Sequence, residues 1–160
     1  MRYLNYYKCD TKNGEGVRCT LFVSGCELAC KGCHNPESWK LSEGQPYTDD
    51  FEQRLLSDLS NPYIKGLTLT GGHPLHPKNF HTVLNLCKLV KTSLPHKDIW
   101  LWTGLRLEEI KSNQMLKEIL TWIDVLVDGR FEIDLRNEQA CWTGSSNQRV
   151  LIKQEGDFES

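Results

Sequence analysis

Four short apolar runs punctuate the chain, and each ends in glycine: CTLFVSG (Cys19 to Gly25), GLTLTGG (Gly66 to Gly72), DIWLWTG (Asp98 to Gly104) and IDVLVDG (Ile123 to Gly129). Their length and their β-branched and aromatic content predict buried strands. Helical periodicity fills the gaps between them. Thr48 to Leu59 opens with Asp49 and Asp50, acids that suit a helix N-terminus, and Asn79 to Leu94 sets Phe80, Val83, Leu84, Cys87 and Val90 along one face. A third helix is predicted over Arg106 to Trp122. RVLIK (Arg149 to Lys153) reads as a fifth strand, closing a single domain over 1–153, and the polar, acidic stretch 154–160 reads as a tail that frays.

Strands alternating with helices imply right-handed crossovers and a largely parallel sheet, whose strands share one C-terminal edge. Ligands bind at that edge in parallel α/β proteins. The marked loops all begin there, after Gly25, Gly71 and Gly72, Gly104, and Gly129. A glycine ending a strand is ordinarily just a tight turn, but four at one edge beside a cluster of thiols indicate a shared site. About five to six strand–helix units are too few for a closed eight-unit barrel of about 250 residues. The predicted fold class is therefore α/β, an open partial (β/α) barrel.

Composition narrows the function by exclusion. The 160 residues suit one packed domain, and the formal charge of −2 is spread along the chain with no basic stripe, which argues against nucleic acid as a ligand. No apolar run approaches the roughly 18 residues of a membrane span, and MRYLNYYKCD lacks the apolar core of a secretion signal, so no membrane association and a cytoplasmic location are expected. Seven cysteines in such a compartment read as metal ligands plus buried thiols rather than as disulfides. Cys9, Cys19, Cys87 and Cys141 stand alone, as small core or surface residues do. Cys26, Cys30 and Cys33 are clustered as CxxxCxxC.

That spacing curls thiolates around a soft-metal centre, and two centres compete. A structural zinc wants four protein ligands, and His34 is too close to Cys33 to chelate easily beside it. A cubane iron–sulfur cluster held by three cysteines keeps one iron open to an external ligand.

CxxxCxxC after an apolar strand resembles the signature of radical S-adenosylmethionine (SAM) enzymes. NGEGVRCTLFVSGC, CHNPESW, LTLTGG, DIWLWTG, VLVDG and GSSNQR follow in an order similar to one branch of the glycyl radical activases, the branch that serves anaerobic, class III ribonucleotide reductase. The resemblance spans roughly Tyr6 to Arg149. It implies a fold of the radical SAM type and a [4Fe-4S] cluster on Cys26, Cys30 and Cys33, with SAM chelated at the open iron. Reductive cleavage of SAM then yields a 5′-deoxyadenosyl radical, which abstracts a hydrogen from a backbone glycine on a loop of the reductase. It also implies flavodoxin or ferredoxin as electron donor.

By the same resemblance Gly32, Cys33 and His34 pass beside the cofactor, with the His34 ring against adenine, and Gly71 and Gly72 approach the methionine moiety. Thr103 with Gly104 and Asp128 with Gly129 end the next two strands toward the same mouth and rank second on that placement, with Asp128 a candidate acceptor for ribose hydroxyls. Asn13, Gly14, Gly16 and Arg18 match the approach segment, and Arg18 is expected to help position the partner's loop. Gly144 to Arg149 is expected to border the same opening. The tryptophans are expected to pack in the core or at its rim.

One position departs from the pattern. The family places an acid after the glycine pair, where this chain has His73. Either an imidazole accepts the methionine ammonium less well than a carboxylate, or the backbone makes that contact and His73 points outward. Two other functions stay open at this stage. One is an activase for a different glycyl radical enzyme such as pyruvate formate-lyase, although those are commonly longer. The other is a zinc-stabilised α/β interaction module without chemistry.

Overall fold

The computed structural model describes residues 1–26 and 40–159, and in it each glycine-ended run is a strand. In chain order the elements are β1 (Arg2–Asp10), β2 (Arg18–Val23), β3 (Gln45–Pro46), α1 (Asp49–Leu59), β4 (Gly66–Gly71), α2 (Phe80–Ser93), β5 (Asp98–Trp102), α3 (Leu107–Ser112), β6 (Val125–Asp128), β7 (Arg149–Gln154) and β8 (Asp157–Glu159). Two 3-10 turns, Leu116–Thr121 and Ile133–Leu135, flank β6. The strands form one open sheet ordered β3-β1-β2-β4-β5-β6-β7-β8. Its centre, β2-β4-β5-β6, is parallel, and the flanking strands pair antiparallel. The chain is thus a mixed α/β protein with an open sheet.

Strand alternation decides which face the helices cover. Cys19, Leu21 and Val23 of β2, Leu67 and Leu69 of β4, Ile99 and Leu101 of β5, and Leu126 of β6 are buried together with Phe51, Leu55 and Leu59 of α1 and Phe80, Val83, Cys87 and Val90 of α2. The other face of β5 and β6 carries a separate cluster of Trp100, Val125 and Val127, joined by Trp102, Trp142 and Val150, with no helical residue in it. Trp100 stacks on Trp102 at 5.8 Å and meets Trp142 edge-on at 5.6 Å. These three tryptophans pack as expected.

Three expectations need correction. The third helix is not continuous: α3 stops at Ser112, because Asn113 turns to extended dihedrals and its Oδ1 accepts from the N–H groups of Met115 and Leu116, starting the 3-10 turn afresh. The fifth strand, β7, runs antiparallel to β6, since residues 129–148 contain only one short 3-10 turn and no helix that would carry the chain back across the sheet. The acidic tail does not fray over its described residues. Glu155 and Gly156 adopt positive φ, β8 pairs with β7, and Phe158 is buried in the core.

No helix among the described residues is long and apolar enough to cross a membrane.

Candidate functional site

Parallel register brings the ends of β2, β4, β5 and β6 to one edge, here termed the rim. Cys26 stands there half-buried, three residues beyond the end of β2. The loop after β4 grips the backbone that leads to it: Gly72 N–H donates to the Val23 carbonyl at 2.7 Å, and His73 N–H donates to the Gly25 carbonyl at 2.7 Å. Gly71 makes this approach possible. Its φ is +102°, and a Cβ there would lie 2.7 Å from the Val23 nitrogen and 2.8 Å from the Phe22 backbone, so no side chain fits. Between the two amides a side chain completes the grip, with Asn79 Nδ2 donating to the Ser24 carbonyl at 2.8 Å and to the His73 carbonyl at 3.2 Å. Sequence reasoning placed Asn79 only as the first residue of a helix.

His73 does not point outward. Its ring is buried, and Nε2 lies 2.7 Å from Thr103 Oγ1, which also accepts from the Leu105 N–H at 3.1 Å. The glycine-pair loop is therefore tied to the end of β5. Thr103 N–H in turn donates to the Val127 carbonyl, linking β5 to β6.

Asp128 is buried and engaged within the fold. Its Oδ2 accepts from the Leu107 N–H at 2.8 Å and from Arg149 Nη2 at 2.5 Å, while Oδ1 accepts from Arg149 Nε at 3.0 Å. The carboxylate thus satisfies the start of α3 and binds β7. Arg149 also forks onto Glu108, and these hydrogen bonds to Asp128 and Glu108 raise the guanidinium's affinity for its proton above the ordinary value. The same arginine bond holds the Glu108 carboxyl below its usual range.

Gly104 lines a small polar cavity of about 160 Å³ with Arg106, Glu109, Arg130, Glu132 and Asn147. The segment Gly144 to Arg149 reaches the rim through Gln148, whose Nε2 donates to the Gly129 carbonyl at 3.0 Å and whose Oε1 accepts from the Gly144 and Ser145 N–H groups.

Arg18 is the residue that moves furthest from expectation. Its side chain is fully buried at the start of β2, the opposite end of the sheet, where Nη2 pairs with Asp98 at 2.5 Å. Nε donates to Thr68 Oγ1, Nη1 to the Glu15 carbonyl and Nη2 also to the Leu67 carbonyl, and the guanidinium lies 5.3 Å from the Trp100 ring. Asn13 and Gly14 cover it: the Asn13 carbonyl accepts from Thr68 Oγ1, and Gly14 presses against Arg18 and Trp100. Gly16 sits against Lys65, also at this end. The approach segment therefore builds the floor of the fold, and Arg18 is not exposed to a partner's loop.

The thiols sort by position. Burial pushes Cys19 up to about 11 and Cys87 up to about 12, inert core groups, while Cys9 and Cys141 are exposed. Of the described cysteines, Cys26 is the one that directly follows backbone bonded to the glycine-pair loop. Cys30, Cys33, Gly32 and His34 lie outside the described residues, as does Trp39.

Comparison with known proteins agrees with a thiolate-held cluster. A family described as "4Fe-4S single cluster domain" matches residues 12–151. The chain is 50% identical over 152 residues to an anaerobic ribonucleoside-triphosphate reductase-activating protein of Pasteurella multocida, covering 94% of this chain and 96% of the relative. Proteins of the same name from Escherichia coli K12 and Enterobacteria phage T4 are each 46% identical, over 94% and 98% of this chain and 97% of either relative. From the CxxxCxxC motif through to the rim geometry and these full-length matches, the chain belongs to the 4Fe-4S single cluster family, among the anaerobic ribonucleoside-triphosphate reductase-activating proteins.

Proposed function

We propose that this chain is the activating enzyme of an anaerobic ribonucleotide reductase, an oxidoreductase of the radical SAM type on an open partial barrel. Cys26, Cys30 and Cys33 hold a [4Fe-4S] cluster at the rim, and SAM binds beside it. When bound, the reduced cluster supplies the electron that cleaves SAM and so starts formation of the glycyl radical on the reductase. Flavodoxin or a ferredoxin-type protein is the expected electron donor.

The observation that carries this reading is the attachment of the Cys26 strand end to the Gly71–Gly72–His73 loop by two backbone hydrogen bonds of 2.7 Å. Cys26 would hold one corner of the cluster, and the glycine-pair loop, bonded to the backbone that precedes Cys26, would be placed to meet a ligand on its open iron. The donor set fits the group, since three soft thiolates at this spacing suit iron and leave one metal corner for an exogenous ligand. Buried His73, held by Thr103, shapes this loop, so backbone rather than a side-chain carboxylate would meet the methionine end of SAM. Asp128 supports the site through α3 and Arg149 and does not present a carboxylate to ribose. The sheet is open rather than closed, and its missing wall suits a peptide loop supplied by a larger partner.

The test is reductive SAM cleavage. Protein reconstituted anaerobically with iron and sulfide, then given SAM and dithionite, should release 5′-deoxyadenosine and methionine, and Cys26→Ala should release neither. Colourless wild-type protein that binds zinc and cleaves no SAM would contradict the proposal.

A further inference from the structure

Asn79 stands at the N-cap position of α2, where an asparagine ordinarily turns its side-chain oxygen onto the helix's first N–H groups. Here it makes no such bond. Its amide points the other way, with Nδ2 shared between the carbonyls of Ser24 and His73 and Oδ1 buried with no hydrogen-bond partner among the described residues. The orientation follows from the partners, because a flipped amide would set its oxygen against two carbonyl oxygens. The residue thus gives no side-chain cap to α2, whose Phe80 N–H finds the His76 carbonyl instead, and leaves a buried acceptor unsatisfied among the described residues, an arrangement that stability alone does not select.

What it achieves is local and sequential. The three carbonyls that precede Cys26, those of Val23, Ser24 and Gly25, are held in turn by Gly72 N–H, Asn79 Nδ2 and His73 N–H. Ser24 is fixed from its other side as well, with its N–H donating to the Arg2 carbonyl and its hydroxyl to the Glu43 carbonyl. Asn79 is the one side chain in this set that touches both the Cys26 strand end and the glycine-pair loop.

We propose that Asn79 is a positioning residue: by bridging the Ser24 and His73 carbonyls it sets the spacing between the first cluster thiolate and the backbone that receives the methionine end of SAM. The proposal rests on the activase reading for its ligand, but not for its geometry. Outer groups that orient a metal site typically change affinity or activity by about 10- to 100-fold when removed.

The test compares wild type, Asn79→Ala and Asn79→Ser in the full-length chain by two readouts. In the cluster-loaded protein, SAM affinity and the SAM-induced change in the reduced cluster's electron paramagnetic resonance (EPR) spectrum are measured at matched iron content. Asn79→Ala should weaken SAM by about 10-fold or more, and Asn79→Ser, whose hydroxyl can still donate, should fall between. In the cluster-free protein, amide hydrogen exchange should quicken at Gly72 and His73 while Leu69 and Leu101 keep their protection.

Wild-type SAM affinity in a loaded Asn79→Ala protein would overturn the proposal, as would exchange that quickens equally across β2, β4 and β5. If wild type itself bound no cluster or no SAM, the activase reading would fall instead, and the exchange pattern alone would decide whether the bridge exists. Should Asn79→Ala not fold, Asn79→Ser carries both readouts.

Discussion

The two ends of the parallel sheet solve opposite problems with similar materials. At the floor, Arg18, Thr68, Asp98 and the carbonyls of Glu15 and Leu67 close on one another, and Gly66 lacks a side chain because a Cβ there would collide with Asp98 and Arg18. Every guanidinium nitrogen has a partner, and the network ends in itself. At the rim, hydrogen bonds run between neighbouring strand ends, β4 to β2, β4 to β5 and β5 to β6, and hold a row of backbone beside a half-buried thiol. The floor is built for stability, and the rim is built to hold separate loops at fixed spacing.

The sharpest way to separate the ends is to remove one residue from each. Cys26→Ala should abolish the cluster's EPR signal and all SAM cleavage, yet shift the stability of the cluster-free fold by only about 0.5 kcal/mol in a urea titration. A large loss of stability would mean that the rim also carries the fold. Arg18→Met should do the reverse. It leaves Asp98 without its buried partner, at a cost of about 3 kcal/mol, with the melting temperature falling by about 2–4 °C for each of those. SAM affinity per loaded cluster should not change, and if it did, floor and rim would be coupled.

Thr103→Val probes the joint between rim strands. It removes the acceptor of the Leu105 N–H and the partner of His73 Nε2, both within the fold, for a loss of about 1–3 kcal/mol. A few-fold weakening of SAM should accompany it, since the glycine-pair loop loses its tie to β5.

The smallest effect expected is with pH. Cys19 and Cys87 keep their protons up to about 11 and about 12 in the fold but ionise near 9.0 when unfolded. Above that lower value the unfolded chain binds fewer protons than the folded one, so stability present below pH 9 declines as pH rises toward 11 to 12. Thiol labelling at pH 9 should modify Cys9 and Cys141 first, with Cys19 and Cys87 protected until unfolding. Early labelling of Cys87 would contradict its burial.

Much of this was legible in the chain, for reasons that particular residues make plain. Strands β2, β4, β5 and β6 and helices α1 and α2 follow from apolar runs and 3.6-residue periodicity, since their burial is decided by nearest neighbours in sequence. Strand β1 was missed because RYLNYYKCD is mostly half-buried or exposed and pairs on the sheet's flank, where no apolar run is required. β8 was missed because one phenylalanine, Phe158, anchors it among acids. Arg18 reads as a contact for the partner's loop because its decisive partner, Asp98, is 80 residues away. Asn79 read as a helix start for the same reason, its amide being claimed by Ser24 55 residues earlier. Local pattern predicts elements well, and it is blind to polar side chains whose partners arrive only through topology.

A thiolate-held cluster at the rim, in the activase reading, would supply the electron that cleaves SAM and so lead to the glycyl radical on the reductase. The most direct measurement is EPR of the reconstituted chain incubated anaerobically with a purified anaerobic ribonucleotide reductase, SAM and a strong reductant. A glycyl doublet on the reductase that vanishes when Cys26→Ala replaces the wild-type chain is the predicted result. No doublet from a fully cluster-loaded wild-type chain with an activation-competent reductase would contradict the account.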